Sequence, residues 1–258
     1  MKPYLIKISS QKGGVGKTTI SVNLATVLQE LGNDVLLVDF DIANPSVGFH
    51  LGIENQNLGI SDILLKNAKI NDVAIPHTPT GLRVIPGSIV ADQKDPSLLQ
   101  IQRFITELKK SKYDYIIFDT APGYLVPEFS SMCDEGIIIT TPELSSCTSC
   151  VRLANSYKKY GLKANMIINR VKNKRYELHT KEIEEMFGSK ALTTLPEVEV
   201  VPKSIAMHIP ATLLDKHSIF SKDIFESARF FSSNSNNVQN YEKGGIISFI
   251  LSLFRKYR

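Results

Sequence analysis

Short apolar runs and stretches of helical spacing alternate along most of the chain. The runs, bounded by Gly, Pro, Asn or Asp, predict strands at residues 4–8, 35–38, 82–85, 115–118, 137–140, 164–168 and 191–194. Continuous rather than alternating apolarity predicts strands covered on both faces, as in repeated βα units. The expected fold is α/β: three layers, with a mostly parallel sheet and helices on both faces. The first helix is expected to begin near Lys17 and end near Leu31, with Gly32 as a left-handed cap. Asp95-Pro96 predicts an N-cap and first helical position for a helix reaching about Lys110. Gly161 and Gly188 mark further helix ends, and no internal repeat is present.

The pattern changes near the end. Residues 232–243, SSNSNNVQNYEK, are polar and poor in apolar positions, which predicts a linker between a body at 1–231 and a tail at 244–258. A flexible chain of that length spans roughly 20 Å. In the tail, Ile246, Phe249, Ile250, Leu253, Phe254 and Tyr257 recur on one helical face, which Ile247 and Leu251 widen. Ser248, Ser252, Arg255 and Lys256 take the other side. A short, apolar and basic helix on a flexible tether predicts an in-plane anchor on a membrane surface with anionic lipid.

Composition adds bounds. The 258 residues suit one large domain with an appendage, and 43% apolar with 22% charged residues is a soluble, globular balance. Arg255, Lys256 and Arg258 account for three of the four net positive charges, so the body is not a globally cationic nucleic-acid binder. Three cysteines, Cys133, Cys147 and Cys150, do not resemble a disulfide framework and predict a reducing compartment. Residues 1–10 run into the first strand without a cleavable apolar segment, so secretion is not expected. The histidines, His50, His77, His179, His208 and His217, show no metal spacing.

The candidate chemistry begins directly after the first strand, at Lys12-Gly13-Gly14-Val15-Gly16-Lys17-Thr18-Thr19. Glycines let backbone N–H groups turn onto phosphates, a lysine reaches the β- and γ-phosphates, and a Ser or Thr hydroxyl holds Mg²⁺. Gly13, Gly14 and Gly16, with Val15 and Thr19 in the same stretch, supply the cradle, Lys17 the charge and Thr18 the metal ligand. Gln11 stands where the common P-loop has its first glycine. Two further strand ends carry acids: Asp39 and Asp41 after residues 35–38, and Asp119 in Asp119-Thr120-Ala121-Pro122-Gly123. Ligands of open α/β sheets collect at such ends. Asn169 closes another strand, and its carboxamide offers donor and acceptor together, which suits an adenine edge.

The deviant form KGGVGKT is matched in full, and the chain resembles the MinD/ParA group of P-loop ATPases over roughly residues 2–230. The resemblance implies a slow, partner-stimulated ATPase using ATP and Mg²⁺, whose Lys12 reaches the ATP of a second copy in an ATP-dependent homodimer. It assigns Asp41 to polarising the attacking water, Asp39 and Asp119 to the Mg²⁺ shell, Asn169 to adenine, and Pro196 and Glu197 to a loop against the base. The tail at 244–258 resembles the targeting helix of MinD-like members. That implies a cytoplasmic protein, peripheral at the inner face of the cell membrane, positioning other assemblies with an unidentified activator or cargo. Two alternatives share the active site. One is a ParA-type partitioning ATPase touching DNA without sequence preference, for which Lys172 to Arg175 (KNKR) is a weak basic turn. The other is a metal-cluster carrier using Cys147 and Cys150 of a C-x-x-C.

Overall fold

A computed structural model describes residues 2–88, 95–123 and 127–234. The chain runs β1 (Tyr4–Ser9), α1 (Lys17–Glu30), β2 (Val35–Phe40), α2 (Val47–Leu51), α3 (Ile60–Lys66), α4 (Ile70–Val73), β3 (Ile75–His77) and β4 (Leu82–Ile85). It continues as α5 (Leu98–Leu108), β5 (Tyr115–Thr120), α6 (Pro127–Met132), β6 (Glu135–Thr140), α7 (Leu144–Lys159) and β7 (Lys163–Val171). The last elements are α8 (Thr180–Phe187), β8 (Thr193–Pro196), α9 (Val200–Ala206), α10 (Ala211–Leu214) and α11 (Ile219–Asn234). The strands form one sheet in the order β3-β4-β2-β5-β1-β6-β7-β8. All neighbours are parallel except β3, which runs antiparallel to β4 at one edge.

Both faces of the central strands are buried, which is why their sequences read as unbroken apolar runs. On one face Ile6, Ile8, Leu37 and Ile117 pack with Ile20 and Leu24 of α1 and Phe220 and Ile224 of α11. On the other, Leu5, Val38, Ile116 and Phe118 pack with Phe104 of α5, Phe129 of α6 and Leu153 of α7. Each such side chain contributes roughly 1.5–3 kcal/mol by leaving water, more than local helix propensity supplies, so burial sets the layers. Phe129 stacks on Phe40 at 4.9 Å and meets Phe118 edge-on at 5.2 Å.

One cation sits inside this packing. Lys7 is fully buried in β1, with Nζ donating to Ser130 Oγ at 3.1 Å and lying over the rings of Phe129 (5.0 Å) and Tyr157 (5.2 Å). Burial pushes its pKa down to about 8. Beside it the Tyr157 hydroxyl donates to Ser9 Oγ at 2.6 Å, tying α7 to the end of β1.

The expected strands all form, several of them longer at their polar ends. β2 and β5 extend through Asp39 and Asp119, which are paired in register, and the last strand is Thr193–Pro196 rather than 191–194. Helix α5 is capped by Ser97, not Asp95. Ser97 Oγ accepts from Gln100 N at 3.4 Å while Gln100 Oε1 accepts from Ser97 N at 2.7 Å, a reciprocal box that wins over the upstream Asp-Pro pair. Gly32, Gly161 and Gly188 follow α1, α7 and α8 with positive φ, as expected. Helix α11 continues to Asn234, so the start of the stretch read as linker is helical. The rest of that linker and the tail at 244–258 lie outside the described residues. No described helix is long and apolar enough to cross a membrane.

Candidate nucleotide site

The chain leaves β1 toward β2 on one side and later fills β6 to β8 on the other, so the sheet changes direction at β1. Crevices at the carboxyl ends of strands beside such a point are where open α/β sheets bind ligands. The loop from β1 to α1 sits there. Gly16 forms the cap of α1 in left-handed backbone (φ 97°), and a side chain at that position would collide with the Asn169 carboxamide. Asn169 itself donates from Nδ2 to Val15 O at 2.8 Å. At Gly14 (φ +74°) an added Cβ would meet nothing within 4 Å, leaving an open cradle. The first turn of α1 carries no acid, and its leading N–H groups have no intrahelical acceptor, so it presents positive potential to an anion.

Lys17 is buried at the base of the cradle. Burial lowers its pKa, while the carboxylates of Asp119 and Asp41 favour its charged form. Asp119 accepts from Thr18 Oγ1 at 2.6 Å and Ser21 Oγ at 3.0 Å. Burial pushes its carboxyl up to about 6, and the hydroxyl donors and Lys17 restrain the rise. Asp41, also buried, accepts from Asn44 N at 3.0 Å. Burial raises its pKa and Lys17 opposes the shift.

Asp39 is fully buried and accepts from Ser46 N and Val47 N, each at 2.9 Å, and from Asp41 N at 3.3 Å. Its carboxylate therefore fastens the loop at 41–46 and the start of α2. Burial and the neighbouring Asp119 raise its pKa strongly. Gly87, after β4, backs this arrangement, since a Cβ there would strike Pro45 and approach Asp39 Oδ2. Ser46 completes the cluster through Oγ, 2.7 Å from Thr18 Oγ1. Ser46 and Gly87 act through contacts between segments far apart in the chain, which no local spacing marks.

Two hydroxyls and flanking carboxylates form an all-oxygen donor set beside an ammonium, which suits Mg²⁺ accompanied by phosphates. The structure brings Thr18, Asp39 and Asp119 together, with Lys17 and Asp41 beside them. Asn169 reaches the P-loop from β7 just before Arg170, which adopts a left-handed φ of 58° at a register shift in the β7–β8 pairing. Pro196 pairs with Val171, Glu197 N donates to Val171 O at 3.0 Å, and Lys172 bridges to Glu197 at 2.8 Å. The base-side loop is thereby joined to the Asn169 segment. Lys12 stands at the rim, with Nζ on Ser145 Oγ at 2.5 Å.

The cysteines of the metal-cluster alternative are buried. Cys147 and Cys150 lie on the inner face of α7, and Cys147 Sγ donates to Thr141 O at 3.2 Å. Burial raises both thiols, Cys150 to about 12. Among the described residues no group of three His, Cys, Asp or Glu side chains is placed to hold a metal.

Comparison with known proteins agrees with this geometry. A family profile described as an AAA domain matches residues 4–169. An ATP-binding protein of Methanocaldococcus jannaschii is 31% identical over 258 residues, covering 96% of each chain. The septum site-determining protein MinD of Thermotoga maritima is 28% identical, with 98% of each covered. The solved structure of MinD from Pyrococcus horikoshii complexed with Mg-ADP superposes with a TM-score of 0.78 at 26% identity, covering 89% of this chain and 96% of that one. The chain belongs to the MinD/ParA family of ATPases. A plasmid partition protein of Borrelia burgdorferi bound to AMPPNP superposes with a TM-score of 0.74 at 27% identity, covering 90% of this chain and 99% of that one. A cytosolic Fe–S cluster assembly factor homologue of Drosophila ananassae is 31% identical over 62% of this chain and 64% of that protein. MinD/ParA members hydrolyse ATP, and nucleotide with Mg²⁺ follows for this chain at that level.

Proposed function

We propose that this chain is an ATP-fuelled dimerising switch that moves between cytoplasm and membrane and positions other assemblies, in division-site placement or a related spatial task. The observation that carries the reading is the contrast within one loop. Lys17 is enclosed beside Asp41 and Asp119, whereas Lys12 stands at the rim, where a second copy can meet it. In this reading the cradle from Gly13 to Thr19 binds the phosphates, Lys17 holds the β- and γ-phosphates, and Thr18 ligates the metal. Mg²⁺, when bound, neutralises charge on the β- and γ-phosphates. Asp119 and Asp39 would help hold the metal, and Asp39 also keeps the 41–46 loop in place. Asp41 orients the attacking water, and Asn169 with Pro196 and Glu197 takes the base.

Lys12 is the trans-acting cation. Charge supplied from a partner is worth about 10³–10⁵ in rate in related phosphoryl transfers, so turnover rises with assembly. Two tails at 244–258 on one dimer gain avidity of about 10²–10⁴ over one, which makes membrane binding follow the ATP state. A partition-type reading with DNA has less support, since Lys172 of the basic turn is paired with Glu197.

One experiment tests all parts: sizing, phosphate release and sedimentation with vesicles containing anionic lipid, in ATP and in ADP. The intact chain is expected to dimerise and sediment in ATP alone. Lys12→Ala is expected to keep nucleotide affinity and lose pairing and turnover. A chain ended at Lys243 is expected to pair without sedimenting. Equal sedimentation in ATP, in ADP and without the tail overturns the membrane cycle, and undiminished turnover by a monomeric Lys12→Ala overturns the trans role.

A further inference from the structure

Helix α2 is fastened at both ends, and its second fastening involves a residue that the site above does not use. Asp39 holds its start through the N–H groups of Ser46 and Val47. Near its end, the His50 ring places Nδ1 2.9 Å from Ser46 O and Nε2 3.3 Å from Thr19 Oγ1. A carbonyl oxygen only accepts, so Nδ1 carries the ring proton. In the neutral imidazole Nε2 is then an acceptor, and the Thr19 hydroxyl donates to it. Burial and the neighbouring His208 favour the uncharged ring.

Thr19 has one hydroxyl proton. While it serves His50 it does not serve a phosphate oxygen. We infer that His50 is a positioning residue: it holds α2 against the P-loop through the Thr19 hydroxyl, and an incoming nucleotide phosphate competes with the ring for that proton. The inference rests on the nucleotide reading of the Gly13–Thr19 cradle.

What the latch controls follows from the other side of α2. His208, just beyond α9, donates from Nδ1 to Phe49 O at 2.5 Å, and Gly52 packs against the His208 side chain. Helix α9 follows β8, whose end carries Pro196 and Glu197. Phe49 and Met207 are each about half exposed on this surface. Thus α2 lies between the phosphate pocket and the helix after the base-side loop, tied to the first through Thr19 and to the second through His208.

The test uses the full chain with ¹⁵N-labelled histidine and Mg²⁺-ADP as probe. In the free protein the His50 ring is expected to show the Nδ1–H tautomer with a hydrogen-bonded Nε2, and saturation with Mg²⁺-ADP is expected to move the Nε2 resonance toward an unbonded value. His50→Leu removes the competitor and is expected to raise ADP affinity about three- to ten-fold, the range of one neutral hydrogen bond. His50→Gln, with a carboxamide oxygen in reach of Thr19, is expected to return affinity toward that of the parent. An Nε2 resonance unchanged at saturation overturns the inference, as does unchanged or weaker ADP binding by a folded His50→Leu. Failure of the parent chain to bind ADP at all overturns the nucleotide reading itself, and the inference with it.

Discussion

Lys7 and Lys17 belong to the same strand–loop–helix unit, both are buried, and burial lowers the pKa of both. Their surroundings differ in kind. Lys7 faces two aromatic rings and the hydroxyl of Ser130 within the sheet's packing, whereas Lys17 opens on the cradle with Asp119 and Asp41 beside it. A cation whose charged form is favoured by neighbouring acids, at the mouth of a cradle, suits a polyanion. One lodged among aromatics is tolerated by polarisable surfaces and carries a desolvation penalty. The difference separates a lysine at the cradle from a lysine of the core, and in the sequence only the glycines beside Lys17 mark it.

The strongest test removes Lys17. Lys17→Ala is expected to lower ATP turnover by about 10²–10³-fold, measured as phosphate release, with the fold retained. Next, Lys7→Met is expected to stabilise the protein at pH 7 by about 1–4 kcal/mol in urea unfolding and to leave turnover intact, since an apolar side chain of similar length replaces a buried charge. The pH dependence sharpens this. Lys7 has a folded pKa of about 8, below its ordinary 10.5, so between these values the unfolded chain binds more protons. Its penalty is complete below pH 8 and fades as pH rises toward 10.5, so parent and Lys7→Met converge at alkaline pH. A gap that stays constant or widens from pH 7.5 to 9.5 breaks the comparison. The smallest effect is that of Ser130→Ala, which removes one acceptor from the Lys7 ammonium and is expected to cost about 1–3 kcal/mol in the same assay. No change there assigns the ammonium to the rings alone.

Much of the fold was legible because its signals are local and redundant. The strands at 4–8, 35–38 and 115–118 are apolar on both faces, and glycines stand where helices stop. The P-loop was legible for a similar reason, since Lys12 to Thr19 is one contiguous stretch whose neighbours in sequence are its neighbours in space. Helices α2 and α4, of five and four residues, are too short to display a helical period, and β3 has only three residues, one of them Pro76. The cap of α5 was misplaced because two adequate caps lie two residues apart, and the choice depends on Gln100 reaching back. Other features depend on contacts that no spacing encodes. Lys7 meets Phe129 and Tyr157 across the sheet, Asn169 comes to Val15 from β7, and His50 reads as a lone histidine until α2 lies on Thr19.

The flank of the sheet formed by β3 has a consequence for how copies meet. Its middle residue, Pro76, has no amide hydrogen to offer a neighbouring backbone. Sideways growth, with one molecule extending another's sheet into a filament, is interrupted on that flank. The nucleotide-driven pairing proposed above would then rest on side chains around the crevice rather than on backbone pairing at this edge, which keeps it reversible.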